Sequence, residues 1–278
     1  MSRLVVQHPS LSDSAVQAFE AAVGRNTSLR QPALAAWDDV TLASHEVTRL
    51  AERFAVDADI VPARAQLSDY RLLAFDMDST LITIECVDEI ADYAGCKPQV
   101  AAITEAAMRG EIADYDESLR RRVALLAGLP ESVLAQVYEE RLKLSPGANK
   151  LITTCQSTGL KVLVVSGGFT YFTERLRERL GLDYQRANEL EVAHGKLTGR
   201  IVGEIVNAQV KQRTLEQTCA LIGCSPSQAI VIGDGANDLK MMSIAGISVA
   251  YRAKPVVRSE TTHGITYCGL DAVLGFFA

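Results

Sequence analysis

The sequence predicts an α/β protein: a doubly wound parallel sheet with an inserted helical cap, preceded by a small N-terminal α/β module. Three observations predict it. Uninterrupted apolar runs occur at residues 72–75, 162–165 and 229–232, each stops at a polar cluster, and helical spacing follows each. Strands covered on both faces in a parallel sheet read as continuous apolar runs, and their alternation with helices winds the sheet outward from its middle. Ligands of such sheets sit just beyond the carboxyl ends of the strands, so the three clusters are expected to meet in one crevice.

In chain order, residues 1–69 make up the N-terminal module. Leu4-Val5-Val6 starts a strand, 14–23 has helical spacing, 29–37 is weakly extended, 42–54 is helical and 58–65 is extended. This reads as two short strand-and-helix units. Nothing in it carries a chemical motif, so it is expected to serve packing or dimerisation, an amino-acid-binding module being the alternative.

The larger unit, 70–278, opens with the run at 72–75. Helical spacing without any strand pattern fills 84–144, at 87–93, 98–109, 115–126 and 131–142, and Pro146-Gly147 breaks it. That stretch is the cap, expected to be mobile. The second run leads into Ser166-Gly167-Gly168 and a helix over 170–180. Alternation over 189–206 predicts a hairpin turning at His194-Gly195, with no chemistry assigned. A helix over 211–222 opens at Lys211, and the third run leads into Gly233-Asp234-Gly235-Ala236-Asn237-Asp238 and a helix over 237–245.

Composition bounds the function. At 278 residues the chain has room for about two domains. With 48% hydrophobic and 22% charged residues it is neither disordered nor fibrous. Lys and Arg number 28 against 34 Asp and Glu, a net charge of -6, which offers no general attraction to nucleic acid or an anionic membrane. No apolar stretch approaches the ~18 residues of a membrane helix, and the first residues lack the pattern of a signal peptide. The six cysteines are scattered with no C-x-x-C pair, which argues against a zinc site or a disulfide framework. A cytoplasmic chain acting on a small molecule is the expectation.

The first cluster, Asp76-Met77-Asp78-Ser79-Thr80, sets two carboxylates at i and i+2, which in extended backbone face the same side. Carboxylates so close raise each other's pKa or share a cation. Ser166-Gly167-Gly168 offers a hydroxyl and backbone N–H groups to an anion. The third cluster adds Asp234, Asn237 and Asp238. Any one of these reads equally well as an ordinary turn. Three oxygen-rich loops at three strand ends favour Mg²⁺, which is held by one or two carboxylates and a phosphate oxygen. Lys211 would add positive charge for that phosphate. There is no P-loop, no G-x-G-x-x-G after a strand and no G-x-S-x-G, which removes three common nucleotide and hydrolase readings.

Asp76-x-Asp78-x-Thr80, Ser166-Gly167, Lys211 and the 233–238 cluster together resemble the haloacid dehalogenase-like superfamily, and the stretch from Leu72 to Phe277 is similar to the phosphoserine phosphatases within it. The resemblance implies that Asp76 is the nucleophile and Asp78 the acid that protonates the leaving oxygen. It implies Mg²⁺ held by Asp76, the backbone carbonyl of Asp78 and Asp234. Ser166, Gly167, Lys211 and Asn237 would hold the substrate, with Asp238 orienting Lys211 or a metal-bound water. In the cap, Glu85 would bind the ammonium and Arg122 the carboxylate of O-phospho-L-serine, giving the last step of serine biosynthesis. By residues alone, Glu85 reads as a helix-start acid and Arg122 as one member of the solvated run Arg120-Arg121-Arg122. A homodimer through the N-terminal module is a further expectation, and the complete amino-acid-binding regulatory domain of some relatives is not expected there. A phosphatase for another small metabolite, a receiver-like signalling domain and a non-catalytic amino-acid binder are the alternatives.

Overall fold

Two-residue periodicity decides which faces of the N-terminal strands are covered, and here both are. A computed structural model of the chain describes residues 2–62 and 65–277; of the extended stretch expected over 58–65, Ala63 and Arg64 lie outside the described residues. The module runs β1 (Ser2–Gln7), α1 (Asp13–Val23), β2 (Leu29–Gln31), β3 (Leu34–Asp38), α2 (Ser44–Phe54), β4 (Asp57–Pro62). Ser12 caps α1 by accepting the Ala15 N–H at 3.2 Å. The antiparallel sheet has the order β2-β3-β1-β4.

This corrects the expectation of two strand-and-helix units. The weakly extended stretch is a hairpin turning at Pro32-Ala33, and the module is a complete β-α-β-β-α-β unit of the ferredoxin-like kind. Short exposed β2 has too few apolar positions to announce itself as a strand.

Leu4, Val6, Ala35 and Trp37 face α1 and α2, where Phe19, Val47 and Leu50 cover them. Val5, Ala36 and Val61 point the other way and join the core of the larger domain. On the same face of β4, the buried Asp57 carboxylate accepts the N–H groups of Thr266 (2.7 Å), Tyr267 (3.1 Å) and Cys268 (2.8 Å). Asp59 pairs with Arg258 at 2.7 Å, and Gln7 Nε2 donates to the Ala272 carbonyl at 3.0 Å. The chain's own C-terminal segment therefore covers this sheet face. The helices and the β2 edge are what remain for the homodimer contact expected of the module.

In the larger domain β5 (Leu72–Phe75) is followed by the cap helices α3 (Cys86–Tyr93), α4 (Lys97–Met108), α5 (Tyr115–Ala124) and α6 (Ser132–Gln136), the last continuing as a wide turn over Val137–Arg141. Then come α7 (Ala148–Ser157), β6 (Lys161–Phe169), α8 (Thr170–Leu180), β7 (Tyr184–Ala193), β8 (Lys196–Val202), α9 (Ala208–Ile222), β9 (Ala229–Gly233), α10 (Leu239–Met242), β10 (Ile247–Tyr251), α11 (Pro255–Arg258) and β11 (His263–Ile265). The seven-stranded sheet has the order β11-β10-β9-β5-β6-β7-β8 and is parallel except for β8. After β5 the chain winds to one side through β6, β7 and β8, then returns to the other through β9, β10 and β11. The carboxyl end of β5 is thus the switch point, where a doubly wound sheet binds its ligand. One face packs against α7 and α8, the other against α9 and α10.

The cap leaves the core at a narrow neck, where Thr83 N–H donates to the Lys143 carbonyl and Ser145 N–H to that of Leu81, both at 2.9 Å. It has a second attachment. The β7–β8 hairpin turns at His194 (φ 53) and Gly195 (φ 71), a type I′ geometry, and reaches the cap. Gly128 N–H donates to the Leu197 carbonyl (2.8 Å), Leu197 N–H to Leu129 (2.9 Å) and Glu131 N–H to Gly195 (2.9 Å). The hairpin is therefore a prop for the cap. Among the described residues no helix is long and apolar enough to cross a membrane.

Asp57→Ala strands three backbone donors at the domain junction and should lower the unfolding free energy by about 3 kcal/mol, read from a urea transition. Asp13→Ala, which breaks only an exposed pair with Arg30, should cost less than about 1 kcal/mol. Equal losses would contradict the docking role of Asp57.

Candidate active site

Strand β5 delivers Asp76 to the switch point, its N–H still paired with the Ile232 carbonyl at 2.9 Å. The backbone then turns sharply. Ile82 N–H donates to the Met77 carbonyl at 3.0 Å, Leu81 N–H to that of Asp76 at 3.3 Å, and Ser79 adopts φ 56. Asp76 (φ -70, ψ 157) and Asp78 (φ -64, ψ 136) both keep extended backbone, and the bend comes after them at Ser79. Asp76 turns to Lys211, whereas Asp78 turns to the β6 loop and α3.

Lys211 Nζ lies 2.8 Å from Asp76 Oδ1 and 2.7 Å from Asp238 Oδ1, with no exposure at all. Burial works against its charge, but the carboxylates of Asp238 and Asp76 outweigh that and hold the ammonium above its ordinary pKa. Helix α9 starts three residues ahead of Lys211, at Ala208, and not at Lys211 as the spacing suggests. Asn207 caps it, its Oδ1 accepting the Gln209 and Val210 N–H groups at 3.1 Å. Asp238 ends a 3₁₀ turn, Ala236–Asp238, and its Oδ2 accepts the Gly235 N–H at 3.1 Å. The helix beyond is the single turn α10, shorter than the expected 237–245, and Asn237 folds its amide back over Gly235.

Asp234 accepts the Thr80 hydroxyl at 3.0 Å. Burial, then the charges of Asp76 and Glu85, push its carboxyl up to about 7. Carboxylate oxygens of Asp76, Asp234 and Asp238 lie within 4.8 Å of one another. Asp238 spends both oxygens on Lys211 and Gly235, whereas Asp76 and Asp234 each bond through Oδ1 and keep Oδ2 for a cation. An all-oxygen donor set, with more carboxylate charge than one ammonium neutralises, fits a hard cation. The Asp78 side chain is outside this group.

Ser166 does not end its strand. Strand β6 continues to Phe169, and the buried Ser166 Oγ accepts the Gly168 N–H at 2.9 Å, leaving its own proton free to donate. A β-carbon at Gly168 would come within 2.9 Å of Asp78 Oδ2 and 3.1 Å of Ser166 Oγ, so glycine lets both side chains approach this backbone. Burial, then the charges of Glu85 and Asp76, push Asp78 well above the ordinary carboxylate range, with Cys86 opposing as a hydrogen-bond donor. Asp78 Oδ1 has no partner among the described residues. A carboxyl that holds its proton more tightly than usual and has a free oxygen suits a proton donor.

From the cap, Glu85 stands just ahead of α3 without bonding its end, and accepts the Ser79 hydroxyl. Burial raises its pKa, and the Arg122 charge acts the other way. Of the three consecutive arginines, Arg120 and Arg121 are exposed and Arg121 pairs with Glu117 at 2.7 Å. Only Arg122 turns inward, its Nε buried without a hydrogen-bond partner. Acid and guanidinium thus face the crevice from the cap side.

Three residues here were not anticipated. Asn188 on β7 donates Nδ2–H to the Gly167 carbonyl (2.7 Å) and accepts the Val206 N–H (2.8 Å), fixing the Ser166-Gly167 loop. Cys86 faces Asp78, and Tyr115 of the cap touches Gly167. Asn188 and Tyr115 carry no sequence signal, because only the fold brings them to the loop; Cys86 beside Glu85 was readable as the first residue of a helix.

A family model of haloacid dehalogenase-like hydrolases matches residues 73–243. A phosphoserine phosphatase of Polaromonas sp. is 59% identical over 213 residues, covering 75% of this chain and 90% of that protein. Among solved structures, a probable phosphoserine phosphatase from Vibrio cholerae, unliganded, is 36% identical with a TM-score of 0.84, over 99% of this chain and 86% of the other. A phosphoserine phosphatase solved with its substrate is 37% identical with a TM-score of 0.70, over 75% of this chain and 99% of the other. The first of these two structures spans the N-terminal module as well. With the geometry above, these likenesses establish that the chain belongs to the haloacid dehalogenase-like hydrolases, in the phosphoserine phosphatase family.

Proposed function

We infer that the chain hydrolyses O-phospho-L-serine to L-serine and phosphate through a phosphoryl group carried on Asp76. The observation that carries this reading is the buried Lys211 bonded to Asp76, with the raised acid Asp78 beside it and the inward-facing Glu85 and Arg122 above. A carboxylate nucleophile divides one difficult hydrolysis into two easier steps.

In the first step an Asp76 oxygen bonds to phosphorus while the phosphorus–serine oxygen bond breaks, and Asp78 gives its proton to that oxygen. In the second, Asp78 takes a proton from water, whose oxygen displaces Asp76 from phosphorus. General acid–base help of this kind is worth roughly 10²- to 10⁴-fold. Lys211 holds Asp76 in place and offsets phosphoryl charge, and the Ser166 hydroxyl donates to a phosphoryl oxygen. Asp238 keeps Lys211 oriented, and Gly167 and Asn237 border the same space. Asp76, Asp234 and the backbone carbonyl of Asp78 would hold Mg²⁺, which supplies positive charge for the phosphoryl oxygens. In the cap, Glu85 pairs with the substrate ammonium and Arg122 grips its carboxylate with two parallel hydrogen bonds. The bound substrate of the related phosphatase supports this choice of ligand. Supply of serine as a biosynthetic end step, in the reducing cytoplasm that six free thiols suit, completes the reading.

Phosphate release should favour O-phospho-L-serine over phosphothreonine, sugar phosphates and p-nitrophenyl phosphate, stop with EDTA, and vanish in Asp76→Asn. Cleavage of the aryl phosphate alone would keep the chemistry and remove the substrate assignment. Arg122→Ala should cut kcat/KM on phosphoserine by roughly 100-fold and spare the aryl phosphate, which lacks a carboxylate.

A stability profile tests the cation site without turnover. Asp234, raised to about 7 in the folded chain from an ordinary value near ~4, binds its proton more tightly when folded. Its contribution is therefore complete below pH ~4 and is lost as pH rises through about 7. Mg²⁺ needs the ionised form, so its gain in melting temperature over EDTA should grow from pH 5 to pH 8, roughly following that titration. A gain independent of pH would count against Asp234 as a ligand.

A further inference from the structure

Tyr115 opens cap helix α5, directly after Asp114, whose side chain caps the helix by accepting the Asp116 N–H at 3.1 Å. Its hydroxyl leaves the cap and rests on the core. A β-carbon on Gly167 would stand 2.0 Å from Tyr115 Oη and 3.3 Å from Cζ, so no other residue at 167 would admit the contact.

Both sides of this contact are fixed. Asn188 holds the Gly167 carbonyl from below and is itself held by the Val206 N–H. On the cap side, Asp116 accepts from Nδ2 of Asn207 at 3.1 Å, and Asn207 caps the helix that carries Lys211. The phenol is thus placed over the Ser166-Gly167 loop by two independent ties.

The charges acting on the hydroxyl are, in order, Lys211, Arg122, Asp76 and Asp78, after burial, which is the largest effect and pushes the phenol up to about 12. It therefore keeps its proton at neutral pH and can donate. Among the described residues the hydroxyl makes no hydrogen bond, so its proton is free for an acceptor that a ligand brings. Arg122 lies seven residues further along the same helix face. The substrate carboxylate belongs to that guanidinium, which leaves the phosphoryl group, beside Lys211 and Gly167, as the acceptor for Tyr115.

We propose that the Tyr115 hydroxyl donates a hydrogen bond to a phosphoryl oxygen of the substrate when the cap is closed. The cap then reads both ends of its ligand, the amino-acid end through Glu85 and Arg122 and the phosphoryl end through Tyr115. Closure and phosphoryl binding become linked, because the hydroxyl finds its acceptor only when both have occurred. The inference rests on the phosphatase reading but does not depend on which alcohol the phosphate is attached to.

The test is Tyr115→Phe, which removes the hydroxyl and leaves the ring. Binding of inorganic phosphate is measured by calorimetry with Mg²⁺ present, beside kcat/KM on O-phospho-L-serine and on p-nitrophenyl phosphate and a thermal melt. Phosphate binding should weaken roughly tenfold, and kcat/KM should fall roughly tenfold on both substrates, while the melting temperature of the ligand-free chain stays the same or rises. Unchanged phosphate binding overturns the proposal. So does a loss confined to phosphoserine, which would put the hydroxyl on the carboxylate. A native chain that binds phosphate but ignores phosphoserine would instead defeat the substrate assignment, and the phosphate and aryl phosphate results would still decide Tyr115.

Discussion

A buried ammonium cannot stand alone, and the rest of this structure is arranged around that constraint. Lys211 is wholly excluded from water, so its charge must be matched by carboxylates at bonding distance. Those carboxylates come from the end of β5 and from the turn after β9, and the lysine comes from α9 on the sheet's other side of the chain path. The three meet only because β5 lies between β6 and β9, with the chain leaving on one side and returning on the other. Removal of the lysine would leave two carboxylates uncompensated in the core, so the ion triad couples the winding of the sheet to the chemistry at its edge. The same triad fixes the direction in which the Asp76 carboxylate points.

Around this rigid centre the remaining parts are adjustable in different degrees. The cap is joined by a neck and propped by the β7–β8 hairpin, so its approach to the core is guided at two places. Its polar side chains face a crevice floored by Ser166, Gly167 and Gly168, where the absence of β-carbons lets Asp78 and Tyr115 come close. The N-terminal module is bound differently. Its sheet is covered on one face by its own helices and on the other by the C-terminal segment, with Asp57 holding three consecutive N–H groups. That junction makes it part of the molecule's core.

Several elements could be read from the residues because their signals are local. Strands buried on both faces have no alternation to obscure them, so 72–75, 162–165 and 229–232 stood out, and the polar groups just past each had to lie at one edge of the sheet. The hairpin at His194-Gly195 was legible for a similar reason, since a tight turn needs residues that tolerate positive φ. Other readings failed where a short-range rule met a longer-range one. The helix that the spacing predicts over 237–245 is a 3₁₀ turn and one short helical turn, where Asp238 folds back onto Lys211 and Gly235. The amino-terminal extended stretch hid a hairpin, because β2 is short and exposed.

The sequence by itself determined the fold class, the three central strands with the helices that follow them, and the oxygen-rich clusters that collect at the switch point, with the family resemblance adding the lysine. Periodicity and composition carry that information because they reflect burial, which each segment expresses independently. Only the tertiary structure decided that Asn188 anchors the Gly167 loop, that Tyr115 reaches across from the cap, and that Asp57 fastens the two domains. Each of these depends on a partner distant in the chain, and the energy of a buried hydrogen bond or ion pair exists only once both partners are in place.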